Sequence, residues 1–473
     1  MKHEDILTAL EEISDKHIKE AEKAPKKKGR TFFKMAAAAV LVIAIGVNAL
    51  FAPARIHAHA VAEASESRTP ERPDVDDYKN WEDWDAAYEK WDAERALRDE
   101  TTAQALAGLS SFFKEGNGFF LLTEKNENKL WSPVNAYIGL AMTAELTEGE
   151  TRQQILDLFG VENTEELRKQ VSAIWESTYQ DDSHEVCTLA NSLWLEKGLQ
   201  YNQDAMDALA YHYYASVYQG DLGSKKTNKD IAAWINNNTG KFLEDSTKNI
   251  VLSPETVMAL YSTLYFQAKW SDEFSEGKNT EGVFHAPDGD TRAVYMNKKL
   301  KQMDYYWGEN FSAVNLWLKN GCCMWFILPD EGKKVKDVLN DGTYMEMVLS
   351  NQWEDSKYMK VNLSVPKFDV ASATDLSDGL KDMGVTKVFE ENVAEFSELT
   401  ADSPIYLTGA NQSVRVQIDE EGVKAAAYIE FPGAGSAAPP EEIIDFVLDR
   451  PFLFVIERGN IPLFAGCVNC PEN

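Results

Sequence analysis

The clearest alternation of apolar and polar positions lies near the end of the chain, in residues 418–451. Between Val423 and Phe431 every second residue is apolar, which is the period of a β-strand with one buried face. That face comprises Val423, Ala425, Ala427, Ile429 and Phe431. Residues 432–440 are rich in glycine and proline, which a strand interior does not accommodate, and strand-forming residues resume at Ile443. The pattern therefore predicts a strand-competent segment that leads into an exposed loop, and hence a strand that can be inserted elsewhere.

Helical and strand patterns are mixed irregularly over residues 101–473. Helices are predicted at 136–146, 148–159 and 229–243. Strands are predicted at 187–195, 259–267, 311–317, 323–328, 361–370, 404–418, 443–456 and 461–468. No segment repeats at a fixed period. Because strands and helices do not alternate regularly, the sequence favours an α+β fold over a parallel α/β fold.

Residues 35–54 form an uncharged and almost wholly apolar run. About 20 such residues suffice to span a bilayer as a helix. The run is preceded by Lys26, Lys27, Lys28, Arg30 and Lys34. The positive-inside rule then places residues 1–34 in the cytoplasm as a tail and the C-terminal domain outside. We therefore predict a signal-anchor that holds a single-pass protein in the cell membrane.

Two alternatives to the signal-anchor remain open. The run is also compatible with a cleaved signal peptide, with cleavage sites at Ala52-Pro53-Ala54 or Ala58-His59-Ala60, which would make the protein secreted. A buried core helix is the other reading, although the basic flank is unusual for one.

Residues 55–100 have the composition of an acidic linker, with prolines at positions 70 and 73. Aromatic residues recur in it every three or four positions, at Tyr78, Trp81, Trp84, Tyr88 and Trp91. This spacing places an aromatic stripe on one face of a helix. The stripe either packs on the adjacent domain or binds a partner such as a cell wall. The globular domain is predicted to begin near residue 101 and to extend to 473.

Composition excludes several classes of function. The net charge is −30, whereas nucleic-acid binding requires a basic surface. Five cysteines are too few and too scattered for a disulfide framework, and Cys467-Val-Asn-Cys470 has no second pair for zinc. The chain contains no GxSxG, HExxH or GxxxxGK[ST] motif, and its seven histidines show no metal-ligand spacing beyond a weak His57/His59 pair. We therefore expect neither an enzyme nor a bound cofactor or metal.

A series of short motifs carries a resemblance to a known family. In chain order they are Trp131-Ser-Pro133, Gly149-Glu-Thr151-Arg-Gln-Gln-Ile-Leu, Ala190-Asn-Ser-Leu-Trp194, Leu264-Tyr-Phe-Gln-Ala-Lys-Trp270, Phe326-Ile-Leu-Pro-Asp-Glu-Gly332, Val365-Pro-Lys-Phe368, Leu380-Lys-Asp-Met-Gly384, Ile418-Asp-Glu-Glu-Gly422, Arg450-Pro-Phe452 and Pro462-Leu-Phe-Ala-Gly466. Each motif is weak alone, but together and in this order they resemble the serpins over residues 101–471. The resemblance implies a large mixed central β-sheet, further sheets, surrounding helices and an exposed reactive loop at about 420–440.

The resemblance also implies a function. Serpins are single-use protease traps: the protease attacks a bond in the reactive loop and forms an acyl-enzyme. The cleaved loop then inserts as a new strand into the main sheet, and release of strain in the native fold drives that step. Counted along the family pattern, the scissile bond falls at Ser436-Ala437. The small residues around it suit a serine protease with a shallow apolar pocket, such as an elastase-like or subtilisin-like enzyme.

Three groups of residues carry over from the family to numbered positions here. The loop hinge is Glu420, Glu421, Gly422, Val423, Ala425, Ala426 and Ala427, whose side chains are mostly small enough to enter a packed sheet. The breach, where the loop first enters, is Trp270, Lys367 and Glu420, with an expected ion pair between the last two. The shutter, beneath the opening strands, is Ser132, Pro133, Asn135 and Gln412.

The sequence departs from the family pattern at several loop positions. Lys424 replaces a usual hinge glutamate, Tyr428 and Ile429 are bulky, and Pro432 would lie in the inserted strand. Slow insertion would turn an inhibitor into a substrate, so a non-inhibitory serpin-fold binding protein remains as an alternative. A surface adhesion protein that uses the aromatic stripe is a further alternative. The single anchor, the basic tail and the scarcity of cysteines suggest a bacterial protein, which we expect to act as a monomer.

Overall fold

The computed structural model describes residues 53–66, 73, 77–123, 126–181, 186–248, 250–319, 321–350, 353–401, 404–423 and 442–471. Most of the predicted signal-anchor, and the loop residues Ala425, Ala426, Ala427, Ser436 and Ala437, lie outside these ranges. Within the described part of the chain, no helix is both long enough and apolar enough to cross a membrane. Residues Arg55–Asn473 belong to a single compact unit.

Over the described ranges the chain forms ten α-helices. They are α1 Trp81–Phe120, α2 Pro133–Leu146, α3 Gly149–Phe159, α4 Thr164–Thr178, α5 Gln203–His212, α6 Lys225–Asn238, α7 Glu244–Thr247, α8 Val335–Asp341, α9 Thr343–Ser350 and α10 Ser377–Asp382. Side chains before several helices accept a hydrogen bond from the first turn, as Asn163 does for α4 and Ser224 for α6. This capping sets where those helices begin.

Seventeen strands lie in the same ranges. They are β1 His59–Ala62, β2 Lys129–Trp131, β3 Gln180–Asp181, β4 Val186–Glu196, β5 Ala215–Gly220, β6 Met258–Lys269, β7 Thr280–Ala286, β8 Gly289–Trp307, β9 Phe311–Trp317, β10 Cys322–Pro329, β11 Ser356–Pro366, β12 Phe368–Asp375, β13 Asn411–Ile418, β14 Gly422–Val423, β15 Ile443–Val447, β16 Phe452–Arg458 and β17 Ile461–Val468.

The strands form three sheets. A six-stranded sheet has the order β1-β5-β4-β6-β14, with β3 paired to β4, and it is mixed because β4 and β5 are parallel whereas β4 and β6 are antiparallel. A nine-stranded sheet has the order β15-β11-β8-β9-β10-β16-β17-β2, with β7 paired to β8. Strands β12 and β13 form a separate antiparallel pair. The α+β class and the expected mixed sheets are confirmed.

Several predicted elements differ in extent from the structure. The helix predicted at 229–243 ends at Asn238, because Gly240 and Lys241 adopt left-handed φ angles of 53° and 62°. The strand predicted at 361–370 divides at Lys367 into β11 and β12, which belong to different sheets. The strand predicted at 443–456 likewise divides into β15 and β16. Hydrophobic runs identified these segments, but backbone conformation and sheet partners determined where they break.

The acidic aromatic segment is structured where it is described. Strand β1 adds to the edge of the six-stranded sheet by pairing with β5, and α1 runs through residue 100, where sequence analysis placed the start of the domain. The rings of Trp81, Trp84, Tyr88 and Trp91 contact one another successively along the helix, with centroids 4.6, 5.1 and 5.6 Å apart. Trp81 is 64% exposed. The aromatic stripe is thus largely packed against itself.

One buried carboxyl group gives the fold a pH dependence. Glu457 lies on β16, is 6% exposed, and accepts a hydrogen bond from the backbone N–H of Asn460 at 2.7 Å. Burial raises the pKa of Glu457 to about 7, from an ordinary value of 4.5. The native state therefore retains a proton that the unfolded chain releases, so stability is lost as the pH rises from about 4.5 to about 7.

We expect Glu457→Gln to remove this loss, because a neutral amide replaces the titrating group. The free energy of unfolding of the variant, relative to that of wild type, should rise by roughly 3 kcal/mol as the pH increases from about 4.5 to about 8. Urea unfolding of the native state across this range measures the difference. Parallel pH profiles for the two proteins would show that Glu457 does not titrate in this window.

Candidate functional site

Strand β6 of the six-stranded sheet and strand β13 of the β12–β13 pair line opposite sides of a cavity. Within the described residues, β6 is hydrogen-bonded to β4 and β14 but not to β13. We call the space between residues 262–266 of β6 and residues 413–417 of β13 the slot. Its cavity, of about 40 Å³, has room for a few water molecules, whereas a further strand needs about 4.8 Å between neighbours. A strand can therefore enter the slot only if β6 and β13 move apart.

The first residues of the hinge already pair with one side of the slot. Gly422 is opposite Lys269 and Val423 is opposite Ala268, in antiparallel register. Val423 is 5% exposed and lines the slot cavity. A tight turn precedes this pairing, because Asp419 Oδ1 accepts from the backbone N–H groups of Glu421 and Gly422 at 2.9 and 3.2 Å. The chain thus enters the top of the slot as a short strand.

The predicted breach residues meet at that entrance. Lys367 Nζ donates to both carboxylate oxygens of Glu420, at 3.0 and 2.8 Å, and Trp270 Nε1 donates to the carbonyl of Asp419 at 2.8 Å. The backbone N–H of Trp270 donates to Glu421 O at 3.0 Å. Glu421 itself is exposed and lies 3.9 Å from Lys269. The structure therefore brings Trp270, Lys367 and Glu420 together, with the ion pair in place.

Sequence reasoning missed one partner of Glu420. Asn279 Nδ2 donates a short hydrogen bond to Glu420 Oε1. Burial alone would raise the pKa of Glu420, but the hydrogen bonds from Lys367 and Asn279, together with a backbone hydrogen bond, outweigh it and hold the pKa below its ordinary value. No local pattern around Asn279 signals this contact, because it comes from a loop more than a hundred residues away in the chain.

A Lys367→Met variant tests the strength of the breach. It leaves the Glu420 carboxylate buried with too few donors, and we expect native-state stability to fall by about 1–3 kcal/mol at pH 7. Since the pKa of Glu420 is depressed in the native state, the loss should be complete above its unfolded value and should shrink as the pH falls below it.

Lys169→Met is the matched control, because Lys169 pairs with Glu165 at 2.8 Å on the open surface. Such exposed pairs contribute about 0–1 kcal/mol. Urea unfolding of both variants at pH 7 and pH 4 makes the comparison. Equal losses in the two variants would mean that the breach ion pair is no stronger than a surface pair.

The predicted shutter residues lie beneath the slot. Gln412, on β13, accepts from the backbone N–H of Ser132 at 2.8 Å and donates to its carbonyl at 3.0 Å. Ser132 Oγ donates to Leu463 O at 2.6 Å and caps α2, which begins at Pro133. Asn135 is buried and lines the slot cavity. The structure thus ties the start of α2 to β13 on one side and to β17 on the other.

A second polar link beside the shutter was not apparent from the sequence. Ser372 Oγ, on β12, donates to Leu130 O and accepts from Leu130 N, both at 2.9 Å. Ser372 therefore holds the β12–β13 pair to β2 next to Ser132. An isolated serine in a strand gives no sequence signal for such a role.

Among the described residues, no group of three or more His, Cys, Asp or Glu side chains could hold a metal ion. The five cysteines are not joined in disulfides. Burial raises the pKa of Cys467 to about 12, so this thiol of the CxxC sequence is a poor nucleophile.

Comparisons with known proteins match this architecture. A family model described as serpin (serine protease inhibitor) matches residues 119–471. An alpha-1-antiproteinase from Callosciurus caniceps is 28% identical over 354 residues, which is 73% of this chain and 83% of that protein. The native state of the thermophilic serpin tengpin superposes with a TM-score of 0.68 at 24% identity, over 77% of this chain and 94% of tengpin. A thyroxine-binding globulin in complex with thyroxine superposes with a TM-score of 0.62 at 21% identity, over 77% of this chain and all (100%) of that one.

Proposed function

The chain belongs to the serpin family, and from this premise we propose that it is a membrane-anchored, extracellular inhibitor of serine proteases with elastase-like or subtilisin-like specificity. Serpins of the kind it matches are protease inhibitors rather than enzymes. We further propose that it is a bacterial surface protein and acts as a monomer.

The single observation that carries the proposal is the slot with the hinge already at its entrance. Strand β14 pairs with β6 over two residues, while β13 pairs only with β12 within the described ranges. Continuing the β14 register would place residue 425 opposite Phe266 and residue 427 opposite Leu264, both on the buried face of β6. Those positions are alanines in the sequence. The apolar alternation of the hinge therefore matches the face that an inserted strand would bury.

The proposed chemistry is a diverted peptide hydrolysis. The protease serine hydroxyl attacks the carbonyl carbon of Ser436, and an ester forms between the protease and Ser436. The bond to the Ala437 nitrogen breaks, and the proton lost by the serine passes to that nitrogen as the new amino terminus. Insertion of residues up to Ser436 into the slot then carries the protease away before water hydrolyses the ester.

The loop composition supports the proposed specificity. The sequence Gly433-Ala-Gly-Ser-Ala-Ala438 presents only small side chains, which fit a shallow apolar primary pocket. Lys424, Tyr428 and Pro432 are less suited to rapid insertion, since a bulky side chain must be accommodated and a proline removes a hydrogen-bond donor from the ladder. We therefore expect part of the inhibitor to be consumed as substrate.

The test is a reaction of the full chain, purified in mild detergent, with neutrophil elastase and separately with subtilisin. We expect an SDS-stable covalent complex and a released fragment that starts at Ala437, identified by mass spectrometry. Loop cleavage without a complex would instead favour a non-inhibitory binding protein. The thyroxine-binding globulin that superposes on this chain, in complex with thyroxine, is an example of a ligand-binding protein with this fold. An intact loop with both enzymes would exclude the proposed specificity.

A further inference from the structure

A short turn lies over the slot and contacts both of its sides. Residues 239–243 connect α6 to α7, and Thr239, Phe242 and Leu243 of this turn line the slot cavity. The turn is held in shape by its own hydrogen bonds, including Phe242 N to Thr239 O at 2.8 Å and Lys241 N to Asn236 O at 3.0 Å. We call residues 239–243 the strap.

On the β6 side, the strap lies directly against Tyr265. A Cβ atom added at Gly240 would be only 3.0 Å from the Tyr265 ring, and Gly240 has a φ of 53°. Glycine therefore serves two needs here, since it permits both the close approach and the left-handed backbone. This side of the strap is fixed by steric contact.

On the β13 side, the strap is held by Arg415. The guanidinium lies 4.7 Å from the centre of the Phe242 ring, and Nη1 donates to Phe242 O at 3.3 Å. The other two guanidinium nitrogens donate to the Asp369 carboxylate on β12, at 2.8 and 2.7 Å. This hydrogen bonding to Asp369 raises the pKa of Arg415. Asp245, on α7, is a further acidic residue that acts on Arg415.

Opening the slot must break one of these two attachments. An inserted strand lies about 4.8 Å from each of its two neighbours, so β6 and β13 must then be about 9.6 Å apart, and a strap in contact with both cannot follow both. Asp369 moves with β13, because β12 and β13 are paired along eight residue positions from Asp375↔Asn411 to Phe368↔Ile418. Leu243 of the strap and Tyr261 of β6 both pack against one buried cluster, which includes Trp194 of β4 and Trp234 of α6, so the strap is held on the β6 side. Arg415 therefore keeps its carboxylate partner while it leaves Phe242, and the Arg415–Phe242 contact is the one that yields.

The strap also lies over a position that an inserted strand would occupy. In the continued β14 register, residue 426 falls opposite Tyr265, on the face of β6 that Gly240 covers. The sequence has alanine at 426. A small outward side chain there limits how far the strap must lift.

Building on the proposed function, we propose that Arg415 is a positioning residue that latches the strap to β13 and thereby limits the rate at which the cleaved loop inserts. Arg415 does not touch the protease or the scissile bond in this proposal. It acts by adding the rupture of its contact with Phe242 to the barrier for opening the slot.

The test follows loop insertion directly. The full chain in detergent is cleaved in the loop, and insertion is followed by intrinsic tryptophan fluorescence, to which Trp270 at the breach contributes as one of twelve tryptophans, and by the rise in melting temperature. We expect Phe242→Leu and Arg415→Met to insert faster, on the order of tenfold, because each removes the ring contact with the cation. Arg415→Lys, which keeps the charge but loses the fork to Asp369, should lie between wild type and Arg415→Met.

Arg152→Met is the matched control. Arg152 also pairs with a carboxylate, Glu398 at 3.3 Å, and donates to a backbone carbonyl, Ala144 O at 3.0 Å, but it does not line the slot cavity. It should insert at the wild-type rate even if its native state is less stable. Phe242→Leu leaves the Arg415–Asp369 pair intact, so its result does not depend on whether Arg415→Met folds.

The outcomes separate this proposal from the proposed function. If the melting temperature of wild type does not rise after loop cleavage, the proposed inhibitory function is wrong. If wild type inserts but Phe242→Leu and Arg415→Met insert no faster than Arg152→Met, the latch is overturned while the inhibitory function stands.

Discussion

An Ala425→Arg variant is expected to be cleaved by its target protease without forming a stable complex. Continued from the Gly422–Lys269 and Val423–Ala268 pairs, the register of β14 places residue 425 opposite Phe266. Phe266 is buried, and its ring packs edge-on against Phe464 at 6.2 Å. An arginine inserted there would bury a charge without a partner, which costs several kcal/mol.

The expected kinetic consequence is large because insertion competes with hydrolysis of the acyl-enzyme. A barrier raised by more than about 2.7 kcal/mol slows insertion more than about 100-fold, so nearly every encounter would end in free protease and cleaved inhibitor. Denaturing electrophoresis after mixing with elastase or subtilisin measures the yield of complex against cleaved chain.

Lys424→Arg is the control for Ala425→Arg, because it carries the same guanidinium one position earlier, on the opposite face of the strand. It should form complex as wild type does. Equal complex yields from Ala425→Arg and wild type would rule out burial of this hinge position and with it the register derived from β14.

A Gly422→Ala variant should detach the hinge from β6. A Cβ atom at this position would lie 2.4 Å from Ala268 O and 2.5 Å from Lys269 Cα, and the neighbour is backbone that cannot swing aside. The backbone φ of 152° at Gly422 is also a conformation that residues with a side chain rarely adopt. We expect native-state stability to fall by at least about 2 kcal/mol and insertion to begin more slowly.

The control separates backbone strain from the close approach. Gly198 has a φ of 90° and nothing within 4 Å of an added Cβ, so Gly198→Ala introduces strain alone. Urea midpoints of the two variants, with hydrogen exchange at Val423, give the comparison. If Gly198→Ala is as destabilised as Gly422→Ala and Val423 stays protected, the contact with β6 is not what requires glycine.

The breach shows how far sequence reasoning reached for the site. Trp270, Lys367 and Glu420 were recognised from motifs far apart in the chain, and the structure brings them within hydrogen-bonding distance of one another or of adjacent backbone. Asn279, which completes the carboxylate's hydrogen bonds, was missed. A hydrogen bond between distant loops depends on backbone positions that no local pattern encodes.

The strap is a second feature that local sequence patterns do not predict. Hydrophobic spacing predicts that residues 239–243 form the last turn of a helix, because Phe242 and Leu243 continue the apolar face of α6. In the structure they form a turn in which Gly240 and Lys241 have left-handed φ angles. This turn packs Gly240 against Tyr265 and Phe242 against Arg415. Tertiary contacts on both sides outweigh the local helical pattern.

By itself, the sequence determined the α+β class, the serpin family, and the alternation that makes one face of the hinge apolar. These follow from periodicity and from ordered motifs, which are properties of the chain read locally. Only the tertiary structure decided that β6 and β13 stay unpaired, that Val423 already lies at the slot entrance, and that Arg415 ties a turn across it. Those features depend on which strands find each other as neighbours, and that choice is made by packing between residues more than a hundred positions apart.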